Sequence, residues 1–213
     1  MEKERKNFFS AKNITILAVL LALVVVLQLF GLSIPMGGTT SMSFVLVPIV
    51  LGGMLLGPVA GVFLGLVFGI VTIFDPMSLT LMNYAPAVTV ITVLLKGALA
   101  GLASSLAYKF ISKKNNYAAV FVAAAVAPIV NTGIFVAGAF CMYDTIVAYL
   151  NGFPFNEFML SVILVNFAIE LAVNLILSPA IYTVDRVVEK QIYKRIKRSA
   201  PANAESADAD KEV

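Results

Sequence analysis

Val47-Pro-Ile-Val-Leu-Gly-Gly-Met-Leu-Leu-Gly-Pro-Val-Ala-Gly-Val-Phe-Leu-Gly65 carries no charge and has a Gly-Pro pair, Gly57-Pro58, at its middle. It lies within an uncharged run from Met42 to Phe74, too long for a single bilayer crossing at about 20 residues per helix. Proline lacks the N–H that an interior helical residue donates, and glycine tolerates the turn before it. The run therefore reads as a tight hairpin of two short helices, the second and third spans. Outward from it, the first span is Ile14–Phe30, the fourth Ala85–Lys109, the fifth Tyr117–Phe140 and the sixth Phe158–Val184. Polar or turn-forming breaks separate them at Gly31–Ser41, Asp75–Tyr84 and Ser112–Asn116.

The chain as a whole agrees with this reading. Of its 213 residues 60% are hydrophobic and 13% charged, with a mean hydropathy of +0.95, far outside soluble-domain usage. The fold class expected is an all-α membrane protein, a bundle of six transmembrane helices with both termini cytoplasmic. Lys and Arg mark cytoplasmic loops. They flank the first span (Lys3, Arg5, Lys6, Lys12), follow the fourth (Lys109, Lys113, Lys114) and follow the sixth (Arg186, Lys190, Lys194, Arg195, Lys197, Arg198), whereas the external loops hold only Asp75, Asp144 and Glu157. An even number of crossings before Lys109 is needed to keep these groups on one side; a re-entrant pair in the hairpin would preserve the same parity. The expected organisation is a cytoplasmic segment over 1–12, a membrane domain over 13–185, and a tail over 186–213 that is basic and then disordered. The apolar run behind the charged N-terminus continues to Phe30 without a small-residue cleavage site, so the first helix reads as retained.

Several chemistries are excluded. Cys141 stands alone and histidine is absent, so no Cys/His set for zinc or haem exists, and neither metal nor cofactor is expected. Without a Gly-Lys dipeptide there is no P-loop, and without histidine no Ser-His triad. An enzyme built on Cys141 is the weakest alternative, since no base lies near it in sequence.

What remains is a set of polar groups at depth. Lys96 and Glu170 are the ionisable residues deep within the spans, and counting inward from the external ends places both near mid-membrane with Asn131. Asn166, Glu170, Asn174 and Ser178 recur every four residues, which aligns them on one helical face. A Lys96–Glu170 ion pair with asparagines completing its hydrogen bonds is one reading; a pocket open to the outside is the other, and intramembrane ionisable groups favour a functional one. Asn83 and Tyr84, with Phe153, Phe155 and Phe158, offer external cover for a ligand or an ordinary interfacial belt. Gly57, Gly61, Gly65 and Gly69 leave one helix face without side chains, suited to close packing, and Ala18-x-x-x-Ala22 makes a second small face.

The Pro-x-x-x-Gly-Gly…Gly-Pro-x-x-Gly hairpin, Ala18-x-x-x-Ala22 and Pro128-Ile-Val-Asn-Thr-Gly-Ile-Phe135 together resemble the substrate-binding S components of energy-coupling factor (ECF) vitamin transporters, over roughly Lys12 to Asp185. The resemblance implies a vitamin bound from outside and delivered with a transmembrane coupling protein and two cytoplasmic ATPases, in the cell membrane of a prokaryote. It places Ala18 and Ala22 at the coupling-protein interface, Gly31–Ser41 as a gate, and Lys96, Asn131, Asn166 and Glu170 facing the pocket. A lysine suits a carboxylate while Asn and Glu suit hydroxyl and amide groups, a combination compatible with pantothenate, with riboflavin next. Two readings of other classes stay open: an autonomous proton-coupled secondary transporter using Glu170, and a non-transporting membrane scaffold.

Overall fold

The computed structural model describes residues 11–30, 44–152, 154–161 and 166–199. Among these the chain is entirely helical: α1 (Ala11–Phe30), α2 (Leu46–Leu56), α3 (Pro58–Thr72), α4 (Pro76–Met82), α5 (Pro86–Ile111), α6 (Asn116–Cys141), α7 (Tyr143–Leu150), α8 (Phe155–Ser161) and α9 (Ala168–Ser199). Helices are what a chain of this composition must form in lipid, where each backbone polar group has to be satisfied within its own segment. α1, α5, α6 and the first part of α9 are long and apolar enough to cross a membrane; α3 and α4 together also qualify but are bent by 73°, and α2 is a shorter apolar helix.

The helix boundaries follow local chemistry. Pro58, Pro76 and Pro86 each open a helix, the position where a missing N–H is harmless. Gly57 adopts φ +99° between α2 and α3, a conformation that disfavours any residue with a Cβ. It serves as the turn and stands apart from the packed glycine face. Asn115 caps α6, its side-chain oxygen accepting from the N–H groups of Tyr117 at 2.9 Å and Ala118 at 3.2 Å, which satisfies two of the donors exposed at a helix start.

The tightest packing joins α3 to α5. A Cβ on Gly61 would run into Gly101 O, one on Gly65 into Gly97 O, and one on Gly69 into Val93 O; the reverse clashes hold for Gly97 against Gly65 and Gly101 against Gly61. The two backbones therefore touch along an antiparallel register that no larger residue admits. α2 lies over this pair and against α1, α6 and α9, filling a core of Val45, Leu46, Ile49, Val50, Leu64, Phe68, Val120, Ala123 and Ile181.

Asp75–Tyr84, expected as a loop, holds α4, and the connection before the last span holds α7 and α8. Leu81, Ala139, Met142, Ile146, Phe155, Phe158 and Met159 form a second apolar cluster that caps this end of the bundle. The sixth apolar run is described in two parts, α8 up to Ser161 and α9, which continues past Val184 to Ser199; residues 162–165 between them lie outside the described set. The expected gate Gly31–Ser41, Phe153, the first ten residues and the tail from 200 onward also lie outside the described residues.

Candidate functional site

Hydroxyl groups inside the bundle mostly satisfy themselves. Thr72 donates to Phe68 O, Thr89 to Ala85 O, Ser105 to Gly101 O and Ser178 to Asn174 O, each within its own helix, the usual arrangement for Ser and Thr in apolar helices. Polar side chains that join different helices are fewer: Gln28 to Asp75, Tyr108 to Asp185 and Asn131 to Glu170, and of these the Asn131–Glu170 bond is the buried one.

Glu170 is 4% exposed and sits one turn into α9, after a π-type turn at 166–167. Its Oε2 accepts from Asn131 Nδ2 of α6 at 3.3 Å, and its main-chain carbonyl accepts from Asn174 Nδ2 at 2.8 Å. The four-residue spacing of Glu170, Asn174 and Ser178 thus corresponds to one buried face of α9, and the half-buried Asn166 precedes it in the π-type turn. A carboxylate taken out of water needs such donors to remain in place.

Lys96 reaches the same region from α5. Its Nζ lies 5.4 Å from the ring centroid of Phe68 on α3 and 5.7 Å from that of Phe135 on α6, so two aromatic faces stabilise the ammonium. It is also within the electrostatic reach of Glu170 and of Asp75 at the α3–α4 bend. Asp75 is itself held by Gln28 of α1, whose Nε2 donates to Asp75 Oδ2 at 2.9 Å. The bond pins the C-terminal end of α1 to the bend.

Lys96, Asn131 and Glu170 therefore converge; Asn166 is half-buried in the turn before α9, and Asn83 does not join them: it is exposed at the end of α4. Phe155 and Phe158 are buried in the capping cluster, Phe155 edge-on to Phe140 and Tyr143. Ala18 and Ala22 are both exposed on α1. Sequence reasoning missed Phe68 as a partner of Lys96 and missed the Gln28–Asp75 bond. The available signal for the latter was an amide near the end of an otherwise apolar helix. Among the described residues no His/Cys/Asp/Glu group suited to a metal is present.

The arrangement offers a cation, an anion and amides in a water-poor interior, suited to holding a small polar solute. The family model described as "ECF transporter, substrate-specific component" matches residues 12–182. No curated protein and no solved structure matches the chain.

Proposed function

Because the chain belongs to the substrate-specific components of ECF transporters, we propose that it binds a vitamin from outside a prokaryotic cell and delivers it with a separate coupling protein and two cytoplasmic ATPases. In this reading the membrane domain over 13–185 is six crossings with both termini cytoplasmic, and the α4, α7 and α8 end faces outward. ATP hydrolysis is left to the partners, and the chain is a transport subunit rather than an enzyme. The exposed Ala18 and Ala22 face the coupling protein.

The observation that carries the site is the buried Asn131–Glu170 hydrogen bond with Lys96 close by. Lys96, Asn131, Asn166 and Glu170 contact the vitamin, and Asn83 guards the approach to it. Pantothenate fits a site that pairs a lysine for the carboxylate with acceptors for hydroxyl and amide groups. Riboflavin is the second reading, favoured by Phe68 and Phe135 flanking Lys96, since two rings in the site suit a flat heterocycle.

The test is to purify the chain alone and follow its melting against pantothenate, riboflavin and other small vitamins. A ligand at about a hundredfold excess over its Kd stabilises the folded state by roughly 2.7 kcal/mol. A shift with one vitamin, weakened in Lys96→Ala or Asn131→Ala, is the expected result; no shift with any vitamin overturns the assignment.

A further inference from the structure

Two buried carbonyl oxygens beside Glu170 receive no hydrogen bond. Asn131 is 6% exposed and Asn174 is fully buried at 0%. Each commits its amide nitrogen to Glu170, the first to the carboxylate and the second to the main-chain carbonyl. The oxygens of the same amides, Asn131 Oδ1 and Asn174 Oδ1, are left buried without a partner among the described residues. Buried amide oxygens in native folds are nearly always satisfied, so two unsatisfied ones, on residues that both bond Glu170, call for a donor from elsewhere.

Neither of the neighbouring side-chain donors, Ser178 and Lys96, is directed at these oxygens. Ser178 Oγ donates to the Asn174 main-chain carbonyl at 2.8 Å. Lys96 directs its ammonium between the faces of Phe68 and Phe135. Around Glu170 the balance is therefore acceptor-rich: a carboxylate and two amide oxygens. An anionic group placed there would meet like charge and the negative ends of two dipoles, whereas an N–H or O–H group would find unmet acceptors.

Resting on the reading of this cluster as the vitamin site, we propose that Asn131 Oδ1 and Asn174 Oδ1 accept hydrogen bonds from an uncharged, donor-bearing end of the substrate. Asn174 is then a selectivity residue in addition to the groups already assigned. The vitamin lies with its imide N–H or hydroxyl groups against α6 and α9, and any carboxylate it carries is directed away from Glu170, toward Lys96.

The experiment compares each vitamin with an analogue whose donors are blocked, using the full chain in detergent and calorimetric Kd values: riboflavin against N3-methylriboflavin, and pantothenate against its di-O-methyl ether. For the vitamin that binds, methylation should weaken binding at least tenfold, because a site built to accept a donor discriminates strongly against its loss. In Asn174→Ala the vitamin should weaken while its analogue does not, so that the gap between them narrows. Equal binding of vitamin and analogue to the unsubstituted chain, within twofold, overturns the proposal whether or not the variant folds. So does an unchanged gap in a variant that only melts earlier, the result expected if an internal water alone fills the site. Failure of both vitamins to bind the unsubstituted chain overturns the site assignment itself, and this inference with it.

Discussion

Asn131 and Glu170 are joined by a 3.3 Å hydrogen bond between the middle of α6 and the first turn of α9, a contact between residues from separate spans in an interior with little water. The bond makes the two helices interdependent at the depth where Lys96 also arrives. Asn131→Asp would set a second carboxylate against Glu170. We predict a clear fall in melting temperature for this variant, larger than for Asn131→Ala, which removes one donor at about 1–3 kcal/mol. Equal melting of the two variants would show that Glu170 is not held as a carboxylate in the resting protein.

The α3–α5 contact gives a prediction about packing alone. Gly65→Ala directs a methyl into the Gly97 carbonyl, and Gly97→Ala into the Gly65 carbonyl; the neighbours are backbone and cannot rotate aside. Each should destabilise the bundle by about 1–3 kcal/mol, typical of overpacking. Gly133→Ala meets nothing within 4 Å and serves as the control, with melting unchanged or slightly raised. Detergent melting curves of the three variants are sufficient, and a Gly65→Ala protein as stable as the control would refute the close approach.

That contact also shows where reading the chain stopped short. The apolar runs Ala85–Lys109 and Tyr117–Phe140 end within two residues of α5 and α6, and the Gly57-Pro58 break falls between α2 and α3, because charge and proline punctuate a lipid-facing helix sharply. Gly61, Gly65 and Gly69 were legible as a bare face, yet their counterpart, Val93, Gly97 and Gly101, was not, since a facing surface is defined only once the register is known. The short helices α4 and α7 were invisible as spans: their lengths of 7 and 8 residues give too few turns for a periodic signal. In the site, four-residue spacing exposed the Glu170–Asn174–Ser178 face. It could not tell that Ser178 satisfies itself while Asn174 keeps a free oxygen, because that depends on rotamers.

Gln28 and Asp75 connect α1 to the α3–α4 bend at 2.9 Å, and the connection predicts a mechanical effect separable from binding chemistry. Gln28→Leu should leave Asp75 half-buried without this donor, lowering stability by about 1.5–3 kcal/mol, as for loss of a hydrogen bond to a charged group. Because the substitution leaves the Asp75 carboxylate, and so its field at Lys96, in place, the ratio of affinities for riboflavin and pantothenate should not change. A shift in that ratio would place Asp75 in the recognition of the vitamin rather than in the frame.

Lys96 provides the sharpest division between the two candidate vitamins. If its ammonium receives a carboxylate, Lys96→Met removes a charge-assisted bond while keeping most of the side-chain volume, and pantothenate affinity should fall by at least tenfold. Riboflavin has no carboxylate, so its affinity should change by less than threefold through the altered contacts with Phe68 and Phe135. The variant also withdraws the positive charge that offsets Glu170, so some loss of stability is expected with either ligand and melting alone is a poor readout. Calorimetry on both ligands separates the effects. A parallel loss for both would mean that Lys96 stabilises Glu170 and the bundle without selecting the cargo, leaving recognition to the amides of α6 and α9.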